Sequence, residues 1–130
     1  MIYEKHFEVQ YLDIDENNIL KPQALLNYLQ EIGCLHSASV GLGLYDISKT
    51  GFAWIVLGWK VKIHHLPGWN ENLRIVSWPR NNNGFFCFRD YEVYDSQNKL
   101  IACASSKWVC YYIDKKRIGK VHESVKNFIA

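Results

Sequence analysis

At 130 residues, with 48% hydrophobic and 15% aromatic content, the chain suits one domain with a real apolar core and leaves no room for a second. The 15 basic residues nearly balance the 13 acidic ones, and a formal charge of +2 is too small to imply a nucleic-acid partner. No apolar run approaches the ~20 residues that a membrane-spanning helix needs, so no membrane role is expected.

The first residues, Met1 to His6, lack the apolar stretch of a signal peptide, and Cys34, Cys87, Cys103 and Cys110 show no C-x-x-C spacing. Both observations predict reduced thiols and a cytoplasmic protein. Residues 6–12 alternate, with Phe7, Val9 and Tyr11 on one face, which predicts a half-buried strand running into Asp13 and Asp15. Pro22 suits a first helical turn. Leu25, Leu29, Ile32 and His36 then follow at helical spacing, opposite Gln23, Asn27, Glu31 and Cys34, and the segment Gly41 to Gly43 closes the helix.

Beyond Gly51 the period changes to two, in residues 52–65, 72–80, 85–95 and 100–114. Turn-forming clusters separate these runs at Pro67 to Asn70, Asn81 to Gly84 and Ser96 to Lys99. Four long antiparallel strands follow, and with the first strand they make a five-stranded sheet. A 14-residue strand spans ~45 Å, against ~25 Å for a helix of about 16 residues. Strands of that length must curl, and a strongly twisted sheet around one helix covers the apolar face of both.

The order of these elements, with Tyr11, Asp13 and Asp15 ahead of the helix, resembles the hotdog-fold thioesterases. More narrowly, the chain is similar to the first hotdog domain of the acyl-ACP thioesterases. The matching pieces are Leu29-Gln30-Glu31 with His36, Phe52-Ala53-Trp54, Pro67 to Glu71, Ser77-Trp78-Pro79, Arg89-Asp90-Tyr91, and Ser106-Lys107-Trp108. The resemblance implies an α+β fold in which residues 1–130 form a single hotdog domain, a five-stranded antiparallel sheet wrapped around one long central helix. It also implies hydrolysis of a fatty acyl-ACP or acyl-CoA thioester to free acid and thiol, with no cofactor and no metal. An acyl carrier protein is then a possible partner, and a homodimer or dimer of dimers the expected assembly. Long edge strands point to a partner subunit independently, because they expose unpaired backbone groups.

In related hotdog enzymes the second aspartate of the turn is nucleophile or general base, and Asp15 matches it. A carboxylate there attacks the thioester carbonyl or activates water while nearby N–H groups hold the oxyanion. Asp13 and Asp15 are equally suited to shaping a turn before a helix. The related enzymes use the position seven residues after this aspartate as an N–H donor or a histidine. Pro22 stands there and is neither, so the resemblance shifts that task to Gln23 or to a partner subunit. Tyr11 matches an active-site tyrosine of part of the group. Strand alternation would set it on one side with Asp13 and Asp15. Gln30 and Glu31 match the helix positions used by other subfamilies, and a solvated helix flank is their plainer reading.

Phe52, Trp54, His36 and Lys107 complete the expected substrate-binding set. His36 also fits a core position, and Lys107, with Lys115, Lys116, Arg117 and Lys120, is suited to phosphates or an acidic carrier. A cysteine hydrolase is excluded by helical phase, since Cys34 and His36 lie ~160° apart around the axis. Adjacent His64 and His65 point to opposite sheet faces and make no metal pair. A non-catalytic acyl-binding or carrier-docking protein is the alternative, favoured by Pro22 and by the length of a single domain. A fatty-acid-binding barrel needs a turn every 8–12 residues and fits less well.

Overall fold

The first strand is earlier than the alternation of residues 6–12 predicts. A computed structural model, which describes residues 1–129, places β1 at Tyr3–Glu8, with Tyr3, Lys5 and Phe7 half-buried and the residues between them exposed. The chain then leaves the sheet in one turn of 3-10 helix at Tyr11–Asp13, closed by Asp13 N–H donating to Gln10 O at 3.0 Å. Tyr11 and Leu12 face solvent as a result, so Tyr11, Asp13 and Asp15 do not share one side of a strand. The loop folds back antiparallel, with Lys21 N–H donating to Asp13 O at 2.8 Å and a bridge between Ile14 and Leu20.

Helix α1 runs from Pro22 to Ser39 with proline at its start, where the missing N–H leaves no bond unmade. Ala24, Leu25, Leu29, Ile32, Gly33, His36 and Ser37 are buried, while Gln23, Asn27, Gln30, Glu31 and Cys34 are exposed. Gly41, at φ 78°, stops it: the left-handed turn lets Leu42 N–H reach Ser37 O at 2.8 Å. A short helix, α2, at Ile47–Thr50 leads into the sheet.

The remaining strands are β2 (Phe52–Ile63), β3 (Asn72–Asn82), β4 (Cys87–Tyr94), β5 (Leu100–Tyr112) and β6 (Arg117–Gly119). All pairings are antiparallel, in the order β1-β3-β4-β5-β2, with β6 beside the end of β5 at Cys110 to Tyr112. The sheet therefore has six strands where five were expected. The added strand follows a tight turn in which Lys116 adopts φ 52°. A terminal helix, α3 (Lys126–Ile129), packs near β3.

One sheet face carries Leu73, Ile75, Tyr91, Val93 and Ala102, which enclose Leu25, Leu29 and Ile32 of α1. Each such aliphatic side chain contributes roughly 1.5–3 kcal/mol by leaving water. A second cluster gathers Phe52, Cys87, Trp108, Cys110, Val125 and Phe128. This is the helix-in-sheet arrangement that the hotdog resemblance implies. The outer edge of β2 pairs with no strand among the described residues, and Ile55, Leu57 and Ile63 along it are exposed.

Candidate functional site

Two places in this fold hold chemically useful groups, one at each end of α1. At the N-terminal end, Asp15 shapes its own loop: Oδ1 accepts from Asn17 N–H at 2.8 Å and from Ile19 N–H at 3.1 Å. This is the turn-forming role that aspartate favours. Among the described residues Oδ2 has no such bond. Asp13, two residues earlier, accepts at Oδ2 from the Tyr28 hydroxyl at 2.5 Å. Burial and the adjacent Asp13 carboxylate push the Tyr28 phenol up to about 12, so it stays a donor.

The first turn of α1 closes with Leu25 N–H donating to Lys21 O at 3.2 Å. Pro22 offers no donor, and the backbone N–H groups of Gln23 and Ala24 have no acceptor among the described residues. Orphan N–H groups at a helix start favour negative charge. The Gln23 side chain is otherwise engaged, its Nε2 donating to Asn27 Oδ1 at 3.2 Å. Tyr11 packs edge-on against Trp69, with ring centroids 5.9 Å apart, outside the carboxylate network.

At the other end, a small apolar pocket opens between α1 and the sheet. Gly33, Cys34 and Ser37 of the helix form one wall; Trp54, Cys87 and Trp108 contribute to the other, and Phe128 lies across it. A Cβ at Gly33 would make ordinary contacts, 3.5 Å from Trp108 Cζ2 and from Tyr91 Oη, so only a larger side chain there would enter the pocket.

Arg89 reaches the same pocket from β4 and is only 5% exposed. Its Nη1 donates to Ser77 Oγ at 2.9 Å, and Ser77 Oγ donates onward to Asp90 O at 2.9 Å. Burial lowers its pKa from the ordinary arginine value, and the neighbouring Tyr91 and Cys34 oppose the shift. Beside it the Tyr91 hydroxyl and Ser106 Oγ are hydrogen-bonded at 2.9 Å, and Trp108 Nε1 donates to the same oxygen at 2.6 Å.

Some of the expected residues belong to these two places and the others to neither. Asp15 and Gln23 belong to the N-terminal end, and Trp54 lines the pocket with its buried Nε1 lacking an acceptor among the described residues. Phe52 lies behind Trp54, in edge contact at 5.2 Å. His36 is 3% exposed between the rings of Tyr3 and Phe128, and its Nδ1 also lacks a partner among the described residues. Burial, with Arg89 and the N-terminal ammonium nearby, pulls its pKa down from 6.5 to about 4. A neutral imidazole in a stacked site fits the core position.

Gln30 and Glu31 lie exposed midway along α1, roughly 12 Å along the axis from Gln23 at ~1.5 Å per residue. Lys107 belongs to the opposite sheet face, with Nζ 3.9 Å from the Phe86 ring centroid. Sequence reasoning gave no role of its own to Arg89, Ser77 or Ser106. The signal was phase: Arg89 alternates with Cys87, Tyr91 and Val93 on β4, all buried.

Residues 1–129 match the family model described as the acyl-ACP thioesterase N-terminal domain. Oleoyl-acyl carrier protein thioesterase 1 of Arabidopsis thaliana, described as chloroplastic, is 28% identical over 132 residues, covering 96% of this chain and 36% of the relative. The chain thus spans about a third of the length of the curated relatives it matches. Among solved structures, an acyl-ACP thioesterase from Bacteroides thetaiotaomicron superposes with a TM-score of 0.89 at 21% identity, covering 99% of this chain and 53% of that one. A 1,4-dihydroxy-2-naphthoyl-CoA thioesterase from Synechocystis gives 0.87 at 17% identity, covering 99% of this chain and 96% of that one. At these identities the structural likeness speaks to the hotdog fold. The family match, which runs from Met1 almost to the end of the sequence, makes this chain a member of the acyl-ACP thioesterase N-terminal domain family.

Proposed function

We propose that the protein hydrolyses an acyl thioester carried on a pantetheine arm, the chemistry common to acyl-ACP and acyl-CoA. The observation that carries this reading is the apolar pocket between α1 and the sheet, lined by Trp54, Trp108 and Phe128, whose walls suit the methylene groups of an acyl chain. Asp15 Oδ2 acts as the base: it takes a proton from water as the water oxygen attacks the carbonyl carbon. The Gln23 N–H holds the oxyanion, and collapse of the intermediate expels the thiolate, which is protonated. The products are a fatty acid and a free thiol.

From Gln23 to Gly33 the helix axis advances roughly 15 Å at ~1.5 Å per residue, so the two ends are well separated within one chain. A symmetric homodimer formed through the unpaired edge of β2 is the assembly this reading requires, with each copy's Asp15 loop serving its partner's pocket. A second reading, an acyl-binding domain that does not hydrolyse by itself, is favoured by one observation. Asp15 Oδ1 is already committed to two backbone N–H groups of its own loop.

Thiol release from a series of acyl-CoA and acyl-ACP thioesters separates these readings. Release that scales with protein concentration supports hydrolysis. Binding without release selects the second reading, and absence of both overturns the two together.

A further inference from the structure

The Arg89 guanidinium has five N–H donors and no possibility of accepting a bond. One donor, on Nη1, is satisfied by Ser77 Oγ, and Cζ lies over the Phe128 ring, 5.4 Å from its centroid. The ion pairs among the described residues join Glu4 to His6 and Arg74, and Asp90 to Arg80; none involves Arg89. Asp90, its neighbour in sequence, points to the opposite face and accepts from Ser105 and Arg80. Arg89 is thus a cation that is nineteen-twentieths buried, lining a pocket, with no counter-charge among the described residues.

A guanidinium does not shed its proton in a protein, so burial leaves a charge that a partner must neutralise. A plain hydrocarbon chain filling this pocket would remove the remaining solvent and supply no acceptor. A carboxylate would match the planar fork with two parallel bonds and cancel the charge. The unpartnered indole Nε1 of Trp54 lies in the wall of the same pocket and offers a further donor.

We propose that Arg89 is a specificity-determining residue that pairs with a carboxylate at the far end of the bound acyl chain, so the preferred substrates are half-thioesters of dicarboxylic acids. This rests on the assignment of the pocket to the acyl chain. Neutral distal oxygens satisfy the donors but leave the charge, and rank below the carboxylate.

The test is calorimetric binding of non-hydrolysable thioether analogues of acyl-pantetheine, matched in length and ending in methyl, hydroxyl or carboxylate, with a free monocarboxylic acid as a fourth probe. The intact protein is expected to bind the carboxylate-ended analogue at least tenfold more tightly than the methyl-ended one. Arg89→Met should reverse that order, and Arg89→Lys, which keeps the charge but not the fork, should fall between. Ser77→Ala is the second variant if Arg89→Met does not fold: it leaves the cation but frees its anchor, and should reduce the preference.

Equal or tighter binding of the methyl-ended analogue overturns the proposal while leaving the acyl pocket intact. A preference that persists unchanged in every variant overturns it too. Equal binding of the hydroxyl-ended analogue removes the carboxylate assignment. Tighter binding of the free acid, lost with Arg89→Met, reassigns Arg89 to a product head group and overturns the proposal. If no probe binds, the acyl pocket and the proposal fall together.

Discussion

The Tyr28 hydroxyl donates to Asp13 Oδ2 at 2.5 Å and so fastens the second turn of α1 to the loop that precedes the helix. Gln10 N–H donates to the same hydroxyl at 3.4 Å, and the Tyr28 ring stacks on Phe7 at 5.0 Å. Tyr28→Phe keeps the stacking and removes only the hydrogen bonds. It should lower stability by about 1–2 kcal/mol, as a charge-assisted bond of this kind contributes. Urea unfolding reads this as a lower midpoint at unchanged slope; an unshifted midpoint would show that solvent replaces the bond without loss.

His36 should make stability sensitive to mild acid. Its folded pKa, about 4, lies below the ordinary 6.5, so between these values the unfolded chain binds a proton that the folded chain does not. The stabilisation is fully present above pH ~6.5, declines as pH falls, and is gone below pH ~4. Its size is on the order of 3 kcal/mol. In His36→Phe, which preserves the stacked position between Tyr3 and Phe128, the melting temperature should vary less with pH across this window. An identical profile for variant and wild type would contradict the assignment.

What the sequence makes legible here is periodicity. Leu25, Leu29 and Ile32 mark the buried face of α1, and the alternation in β3, β4 and β5 places those strands to within a few residues. The first strand is misplaced because Phe7, Val9 and Tyr11 continue its alternation after the backbone has already turned into a 3-10 helix. The three residues of β6 sit in a basic run with no apolar alternation of their own, and pairing with β5 alone makes them a strand. Arginine is ordinarily a surface residue, so only the phase of Arg89 with Tyr91 and Val93 marks it as pointing inward. The separation of the Asp15 loop from the pocket depends on how α1 lies in the sheet, which no local pattern encodes.

Gly33 sets the width of the pocket. Its hypothetical Cβ makes ordinary contacts, at 3.5 Å to Trp108 Cζ2 and 3.6 Å to Arg89 Cδ, so Gly33→Ala is tolerated. Loss of a helix-interior glycine should add up to about 1 kcal/mol of stability. Gly33→Leu instead fills the pocket and should shift chain-length preference toward shorter acyl groups, measured by thiol release or by analogue binding. An unchanged chain-length profile would place the acyl group elsewhere.

Asp15 offers a separation of structure from chemistry. Asn retains an oxygen in place of Oδ1 for Asn17 and Ile19 N–H, whereas Ala loses both bonds. Asp15→Asn should therefore stay within about 0.5 kcal/mol of wild type, and Asp15→Ala should lose about 1–2 kcal/mol, by chemical denaturation. Equal stabilities for the two variants would mean that the side chain does not hold the loop.

The most direct measurement is the rate of thiol release by wild type and Asp15→Asn on the best acyl thioester of the series, with melting temperature recorded on the same samples. Hydrolysis with Asp15 as base predicts a loss of at least ~100-fold at an unchanged melting temperature, the scale of general-base catalysis. A rate equal to wild type in the folded variant would contradict that role and move the chemistry to Glu31 or to another carboxylate.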